Sequence, residues 1–261
     1  MRNGGPHGAH DLEIAPGIHT VPGIRWSRTY LIEDDTMALV DSGLPWDAGS
    51  VVRYVRSIGR NPDDLGFILA THSHPDHTSG ALSIQRRTGA RIVAHSGDTR
   101  TYSDDGVSLS YVKVFNSLPV PLPFFQRIPV DLVVEDGHVL PLRGGTRVVH
   151  VPGHTPGSLC FQVEDGGVLF SGDTVFSDGR RLSRSVPFPG YDGEKYRRSL
   201  ERLATLEFET LCGGHGVPLM GGASQALREL LAARPEPPTW RGFLASIPRR
   251  LYNSKSLSGE D

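Results

Sequence analysis

The stretch His72-Ser73-His74-Pro75-Asp76-His77 places four metal-competent side chains within six residues. It directly follows Phe67-Ile68-Leu69-Ala70-Thr71, a run with the apolar character of a buried strand. Helical spacing would spread these side chains around a cylinder, whereas a strand end followed by a tight turn lets all four converge on one pocket. Pro75 supports the turn, because it biases Ser73-His74 away from helical backbone. Three further candidates each close a β-rich run and enter a Gly/Pro loop. His154 lies in Val151-Pro152-Gly153-His154-Thr155-Pro156-Gly157, Asp173 in Leu169-Phe170-Ser171-Gly172-Asp173-Thr174, and His215 in Cys212-Gly213-Gly214-His215-Gly216. Loops held by a rigid scaffold are where catalytic groups concentrate. Imidazole and carboxylate ligands without a thiolate suit Zn2+ first and Fe or Mn second. The set is too large for one tetrahedral ion and suits two adjacent ions that share a carboxylate and a water-derived hydroxide.

The order HxHxDH, His154, Asp173, His215 resembles the metallo-β-lactamase-fold hydrolase superfamily over roughly residues 12 to 220, and Leu39-Val40-Asp41-Ser42-Gly43 matches its first motif. The resemblance implies an α/β (α+β) fold, a four-layer αββα sandwich of two βα halves with the metals at one edge. It implies that His72, His74 and His154 hold one ion, that Asp76, His77 and His215 hold the other, and that Asp173 bridges them. The bridging hydroxide then attacks a carbonyl carbon, one ion polarising the carbonyl oxygen and the other stabilising the leaving group. Asp76 is the catalytic candidate, orienting the nucleophile and relaying its proton. Asp41 either accepts an imidazole N–H from behind the ligands or is a strand-end turn residue.

The superfamily hosts many reactions on one core. Class B β-lactamases share HxHxDH but lack the bridging aspartate. Flavodiiron oxygen reductases carry Glu where His74 stands, and the RNA-processing nucleases need an RNA-binding arm for which this chain offers no clearly basic candidate. Glyoxalase II-like thioester hydrolases share the whole ligand set, with a helical C-terminal domain longer than the tail after His215. Quorum-quenching lactonases share it too, and the segment from Val186 to Asp192 followed by Ser199 to Leu203 resembles their stretch after the aspartate. They place a tyrosine three residues beyond that aspartate, where Phe176 stands here; Tyr30 or Tyr191 reads either as the phenol supplied instead or as a packing residue. Persulfide dioxygenases hold a single iron with two histidines and an aspartate, a role open to His72, His154 and Asp173. The expectation is a dinuclear hydrolase with two Zn2+ that cleaves an acyl C–O or C–S bond in a lactone, ester or thioester. A mononuclear iron persulfide dioxygenase-like oxidoreductase and a β-lactam hydrolase are the alternatives.

The elements that must position these groups can be read along the chain. Tyr30–Glu33 and Met37–Asp41 flank Asp34-Asp35-Thr36 as a hairpin. Asp47 is expected to cap a helix over 48–58. The Phe67–Thr71 strand, a helix over 79–88 and a strand over Arg91–His95 complete one βα half. Strands are expected at Leu132–Glu135, Val139–Leu142, Thr146–Val151, Ser158–Val163 and Val168–Ser171, then a helix over about 193–206, a strand ending at Cys212 and a helix over roughly 221–233. Residues 96–130 break the pattern as a hydrophobic insertion. Its Leu118-Pro119-Val120-Pro121-Leu122-Pro123-Phe124-Phe125 run reads as a loop packed over the core, as a lid over the site that would take a hydrophobic acyl group on Phe124 and Phe125, or as the contact of a homodimer.

One domain over 11–233 is expected, with a disordered tail at 1–10 and a C-terminal tail at 234–261 carrying a short helix near Trp240–Leu251. Lys+Arg 27 against Asp+Glu 29 gives a net charge of −2, which argues against a nucleic-acid partner and leaves a small acyl molecule as the partner. Cys160 and Cys212 read as buried free thiols. No secretory apolar region and no long apolar span occur in the sequence, so the expected location is cytoplasmic, without a membrane span.

Overall fold

A computed structural model of the protein describes residues 12–102, 106–109, 127–188 and 190–233. The expected tails at 1–10 and 234–261 and the Leu118–Phe125 run, with Phe124 and Phe125, lie outside the described residues.

Among the described residues, seven strands form the first sheet. β1 (Glu13–Ala15), β2 (Ile18–Thr20), β3 (Tyr30–Ile32) and β4 (Met37–Val40) run antiparallel, and β5 (Leu65–Leu69) and β6 (Arg91–His95) continue in parallel. β7 (Thr99–Tyr102) and β8 (Gly106–Leu109) form a separate ribbon, after which β9 (Leu132–Val134) joins the far side of β6. The second sheet runs β10 (Val139–Leu140), β11 (Thr146–His150), β12 (Leu159–Val163) and β13 (Val168–Gly172) antiparallel. β14 (Val175–Asp178), β15 (Leu182–Arg184) and β17 (Gly216–Val217) make a small third sheet, while β16 (Thr210–Gly213) and β18 (Leu219–Met220) complete the second.

Alternation along the strands builds three apolar layers, because successive strand side chains point to opposite faces. In the first sheet Leu31, Leu39, Ile68 and Ile92 face outward against α1 (Ala48–Ser57) and α3 (Ala81–Thr88), which contribute Val51, Tyr54, Val55, Ala81 and Ile84. Tyr30, Ile32, Val40, Phe67, Leu69 and Val93 face inward and meet Val148, Phe161 and Phe170 of the second sheet. On its far side the second sheet packs Val149, Cys160, Leu169 and Leu211 against Tyr196, Leu200 and Leu203 of α4 (Gly193–Leu203) and Leu227 of α5 (Ala223–Ala232). Helix, sheet, sheet, helix is the four-layer αββα sandwich that the resemblance implies. Phe161 and Phe170 are wholly buried between the sheets, and burying such a side chain is worth about 1.5–3 kcal/mol.

Several expectations need correction. Asp47 stands at the N-cap position of α1, as expected, but its side chain makes no capping hydrogen bond to that helix. It ends a 3-10 turn, Pro45–Asp47, and its Oδ2 turns back to accept from Leu44 N at 2.9 Å. The helix expected over 79–88 is preceded by a separate one-turn helix, α2 (Pro75–Thr78), so the last part of the HxHxDH stretch is helical. The start of the 96–130 insertion is ordered as a 3-10 turn, Ser96–Asp98, and the β7–β8 ribbon. Strands β1, β2, β14 and β15 carry no alternation long enough to be read from sequence. Among the described residues no helix is long and apolar enough to cross a membrane, and Cys160 and Cys212 are buried free thiols.

Candidate metal centre

The candidate ligands gather where β4, β5, β13 and β16 end. β5 stops at Leu69, and the chain turns through Thr71 to His72 and His74. His74 keeps extended backbone, and Pro75 then opens α2 at its first position, where its missing N–H costs nothing. That single turn carries Asp76 and His77. His154 stands in the loop after β11, Asp173 follows β13, and His215 follows β16. Their donor atoms form two groups, each within 4.8 Å: His72, His74, His154 and Asp173 in one, Asp76, His77 and His215 in the other. Asp173 reaches across both. Its Oδ2 lies 4.0 Å from His72 Nε2, 3.6 Å from His154 Nε2 and 3.4 Å from His215 Nε2, while Oδ1 lies 3.3 Å from His77 Nε2. Asp76 Oδ2 lies 3.5 Å from His77 Nε2 and 3.4 Å from His215 Nε2.

The tautomers follow from the supporting bonds. Asp41 sits just beyond β4 with φ 59°, a left-handed conformation uncommon for a residue with a Cβ. Its carboxylate accepts from Thr71 N and Thr71 Oγ1, each at 2.9 Å, and lies 2.7 Å from His77 Nδ1. A carboxylate has no proton to give, so His77 Nδ1 is the donor and His77 Nε2 is left to face the cluster. Thr71 gives its one hydroxyl proton to Asp41, so it accepts from His72 Nδ1 at 3.0 Å. His72 Nε2 is then a bare lone pair, buried and without a hydrogen-bond partner among the described residues. A buried acceptor of this kind is costly unless something electron-poor meets it, and a divalent cation fits that need. His154 Nδ1 is held 2.9 Å from Ser185 Oγ.

Electrostatics agree with that donor set. Burial pushes His154 down to about 3 and, with the neighbouring His77 and His74, holds His72 well below the usual imidazole range. Burial also lowers His74. These are the neutral imidazoles that a metal requires. Burial would lower His77 and His215 too, but the carboxylates of Asp173 and Asp76 outweigh it and raise both. Burial works against the Asp173 carboxylate, yet His215 and His77 hold it well below the carboxylate range. Positive charge is therefore favoured among these carboxylates.

Close backbone approach shapes the site at Gly214. A Cβ there would lie 2.3 Å from Asp173 Oδ1 and 2.6 Å from His77 Cε1. The loop is tied down from the first sheet by Arg28 N to Gly214 O at 2.7 Å and Arg28 Nε to Gly216 O at 2.6 Å. Neighbouring Ser27 Oγ donates to Asp76 O at 2.6 Å.

The aromatic candidates divide. Phe176 is buried with its ring 5.6 Å from that of His215. Tyr30 lies buried between the sheets and donates to Gly213 O at 2.7 Å, which steadies the His215 loop. Tyr191 packs 5.2 Å from Tyr196 in the outer helical layer. Three supporting residues escape sequence reasoning. Phe188 sets its ring 5.6 Å from His74 and 6.0 Å from His154. Tyr196, expected only as part of a helix face, accepts from Ser185 N and donates to Thr174 O, each at 2.7 Å. Ser185 connects that pair to His154. Ser185→Ala is expected to weaken metal retention about tenfold, the usual scale for a group that orients a ligand, as measured by chelator competition.

The chain is similar to known proteins in sequence and in fold. The sequence profile of the Metallo-beta-lactamase superfamily matches residues 27–215. A hydroxyacylglutathione hydrolase of Methylococcus capsulatus is 32% identical over 196 residues, 74% of this chain and 63% of that protein. The chain thus spans less than two thirds of that relative's length. A probable metallo-hydrolase of Bacillus subtilis, YflN, is 28% identical over 233 residues, 80% of this chain and 88% of that protein. Among solved structures, a metallo-beta-lactamase family protein from Thermus thermophilus superposes with a TM-score of 0.63 at 24% identity, covering 84% of this chain and 80% of that one. The B3 metallo-beta-lactamase BLEG-1 superposes with a TM-score of 0.64 at 20% identity, covering 84% and 98%. At these identities the superpositions establish the fold alone.

Proposed function

The chain belongs to the metallo-beta-lactamase superfamily, and from that premise we propose that it is a dinuclear metal-dependent hydrolase of an acyl C–O or C–S bond. The observation that carries the proposal is Asp173, whose two carboxylate oxygens face both ligand groups within 3.3 to 4.0 Å. In this reading His72, His74 and His154 hold one cation, Asp76, His77 and His215 hold the other, and Asp173 serves both. A pair of bound Zn2+ ions supplies a nucleophilic water near neutral pH and polarises a carbonyl.

The remaining work falls to the chain's own residues. Asp41, Thr71 and Ser185 fix which imidazole nitrogen faces inward. Asp76, 28% exposed while the other candidate ligands are buried, is the carboxylate that meets solvent. It is placed to orient the attacking water and carry its proton to the leaving group. Phe176 and Phe188 supply dry walls against His215, His74 and His154. The name of the Methylococcus relative supports a thioester as the first substrate class to examine.

The test is elemental analysis of the purified protein, paired with a panel of lactone, thioester, β-lactam and persulfide substrates. Two zinc-like ions per chain with lactone or thioester turnover is the expected result. One iron per chain with persulfide oxidation would replace the hydrolase with the dioxygenase-like reading on His72, His154 and Asp173.

A hydrophobic acyl portion is part of the proposal. Trp26, 67% exposed, adjoins the Ser27 and Arg28 contacts that bind its loop to Asp76, Gly214 and Gly216. In a chain-length series of acyl esters and lactones, kcat/KM is expected to rise by up to about fifteenfold per added methylene pair, on the scale of apolar burial. Trp26→Ala or the paired Phe124→Ala and Phe125→Ala change should flatten the series, and an unaltered slope in both would remove the hydrophobic requirement.

A further inference from the structure

Asp98 ends the 3-10 turn after β6, in a region where sequence reading expects only the start of an insertion. Asp98 is buried, 3% exposed. Oδ2 accepts from Ser73 N at 2.8 Å and from Thr155 Oγ1 at 2.7 Å, and Oδ1 accepts from Gly157 N at 2.7 Å. Ser73 lies between His72 and His74, which follow the first sheet. Thr155 and Gly157 belong to the His154 loop, which follows the second. One buried side chain therefore joins the two backbone segments that must meet to form the first ligand group.

The turn that carries Asp98 is itself fixed. His95 Nδ1 accepts from Gly97 N at 2.9 Å, and the His95 ring stacks on His150 with centroids 3.8 Å apart. His150 Nε2 lies 2.9 Å from Pro156 O and His95 Nε2 lies 2.9 Å from Glu135 Oε2. A Cβ at Gly157 would lie 2.5 Å from Asp98 N, and one at Gly97 would lie 2.7 Å from Pro156 O, so the two backbones are in contact. The three donors to Asp98 are neutral groups. They satisfy its oxygens without cancelling its charge, and a buried anion gains from a cation nearby.

We propose that Asp98 is a positioning residue for the first ligand group. It sets the separation of His72 and His74 from His154, and it adds negative charge to the side of the centre where that group holds its cation. The role rests on the dinuclear metal reading of the preceding section, and the experiment separates the two. The full-length metal-free protein is titrated with Co2+, followed by visible absorption and chelator competition, for the wild type, Asp98→Asn and a control, Asp131→Asn. Asp131 accepts from Ile92 N at 2.8 Å and Gln85 Nε2 at 2.7 Å near the start of β6, the end away from the centre.

The expected result is that Asp98→Asn weakens one of the two Co2+ ions at least tenfold, on the scale of outer ligand supports, and alters its absorption bands. The metal-free Tm should fall no further than in the control. Wild-type affinity for both ions in Asp98→Asn overturns the proposal, as does an equal loss at both ions that tracks the fall in metal-free Tm. If Asp98→Asn does not fold, Thr155→Val removes one of the three donors. It should weaken the same ion about threefold, and unchanged binding overturns the proposal. A wild type that takes up a single Co2+ refutes the dinuclear reading, and the role of Asp98 then stands or falls on whether its variant weakens that one ion.

Discussion

Asp173→Ala is expected to lose metal and activity in a single step. Its two oxygens serve both ligand groups, and its negative charge is among the main influences that raise His77 and His215. Without it, the four imidazoles it meets lose their common counter-charge, and Asp76 remains beside only His77 and His215. Under the dinuclear proposal kcat/KM falls by at least about a thousandfold, roughly 4 kcal/mol of transition-state stabilisation. Metal content measured on the same preparation falls below one ion per chain. His215→Ala should follow the same course, since it removes a ligand of the second group. Full activity with one retained metal in either variant would end the dinuclear proposal.

Gly214→Ala is expected to have the second-largest effect, although it adds only one methyl group. That methyl would meet Asp173 Oδ1 and the His77 ring well inside contact distance. Relief by moving the backbone is resisted by Arg28 N to Gly214 O and by Gly214 N to Gly172 O, each at 2.7 Å. Either Asp173 turns away from its imidazoles or the His215 loop shifts. Overpacking of this kind costs about 1–3 kcal/mol. The expected readouts are a lower Tm and at least tenfold weaker metal binding. Wild-type values of both would show that the loop yields freely.

The ligand residues could be read in the sequence because their types are chemically unusual and their order is compressed. Four fall within six residues and the others each close a β-rich run at a glycine. The layers followed from the resemblance that the ligand order carries and not from alternation, since a strand such as Leu65–Leu69 is apolar and buried on both faces. Asp98 and Ser185 could not be read in the sequence. Their partners lie 57 and 31 residues away, at Thr155 and His154, and no local spacing announces such a bond. Asp47 takes the N-cap position that the sequence rule assigns it, but its carboxylate serves Leu44 N, because a 3-10 turn from Pro45 to Asp47 leads into the helix. Tyr30 and Tyr191 can each be read as a phenol at the site or as a packing residue, because hydroxyl chemistry alone does not say whether a phenol faces solvent or a backbone carbonyl. Tyr30 faces Gly213 O.

Each ligand group draws from both sides of the inter-sheet core: His72 and His74 against His154 and Asp173, and Asp76 and His77 against His215. A chain severed at the Asp136-Gly137 turn would leave neither fragment with a full coordination set. Together, the fragments would reassociate with an apparent affinity that rises with free divalent ion, since a ligand that binds only the joined form favours joining. Ion supply would then govern molecular cohesion as well as turnover.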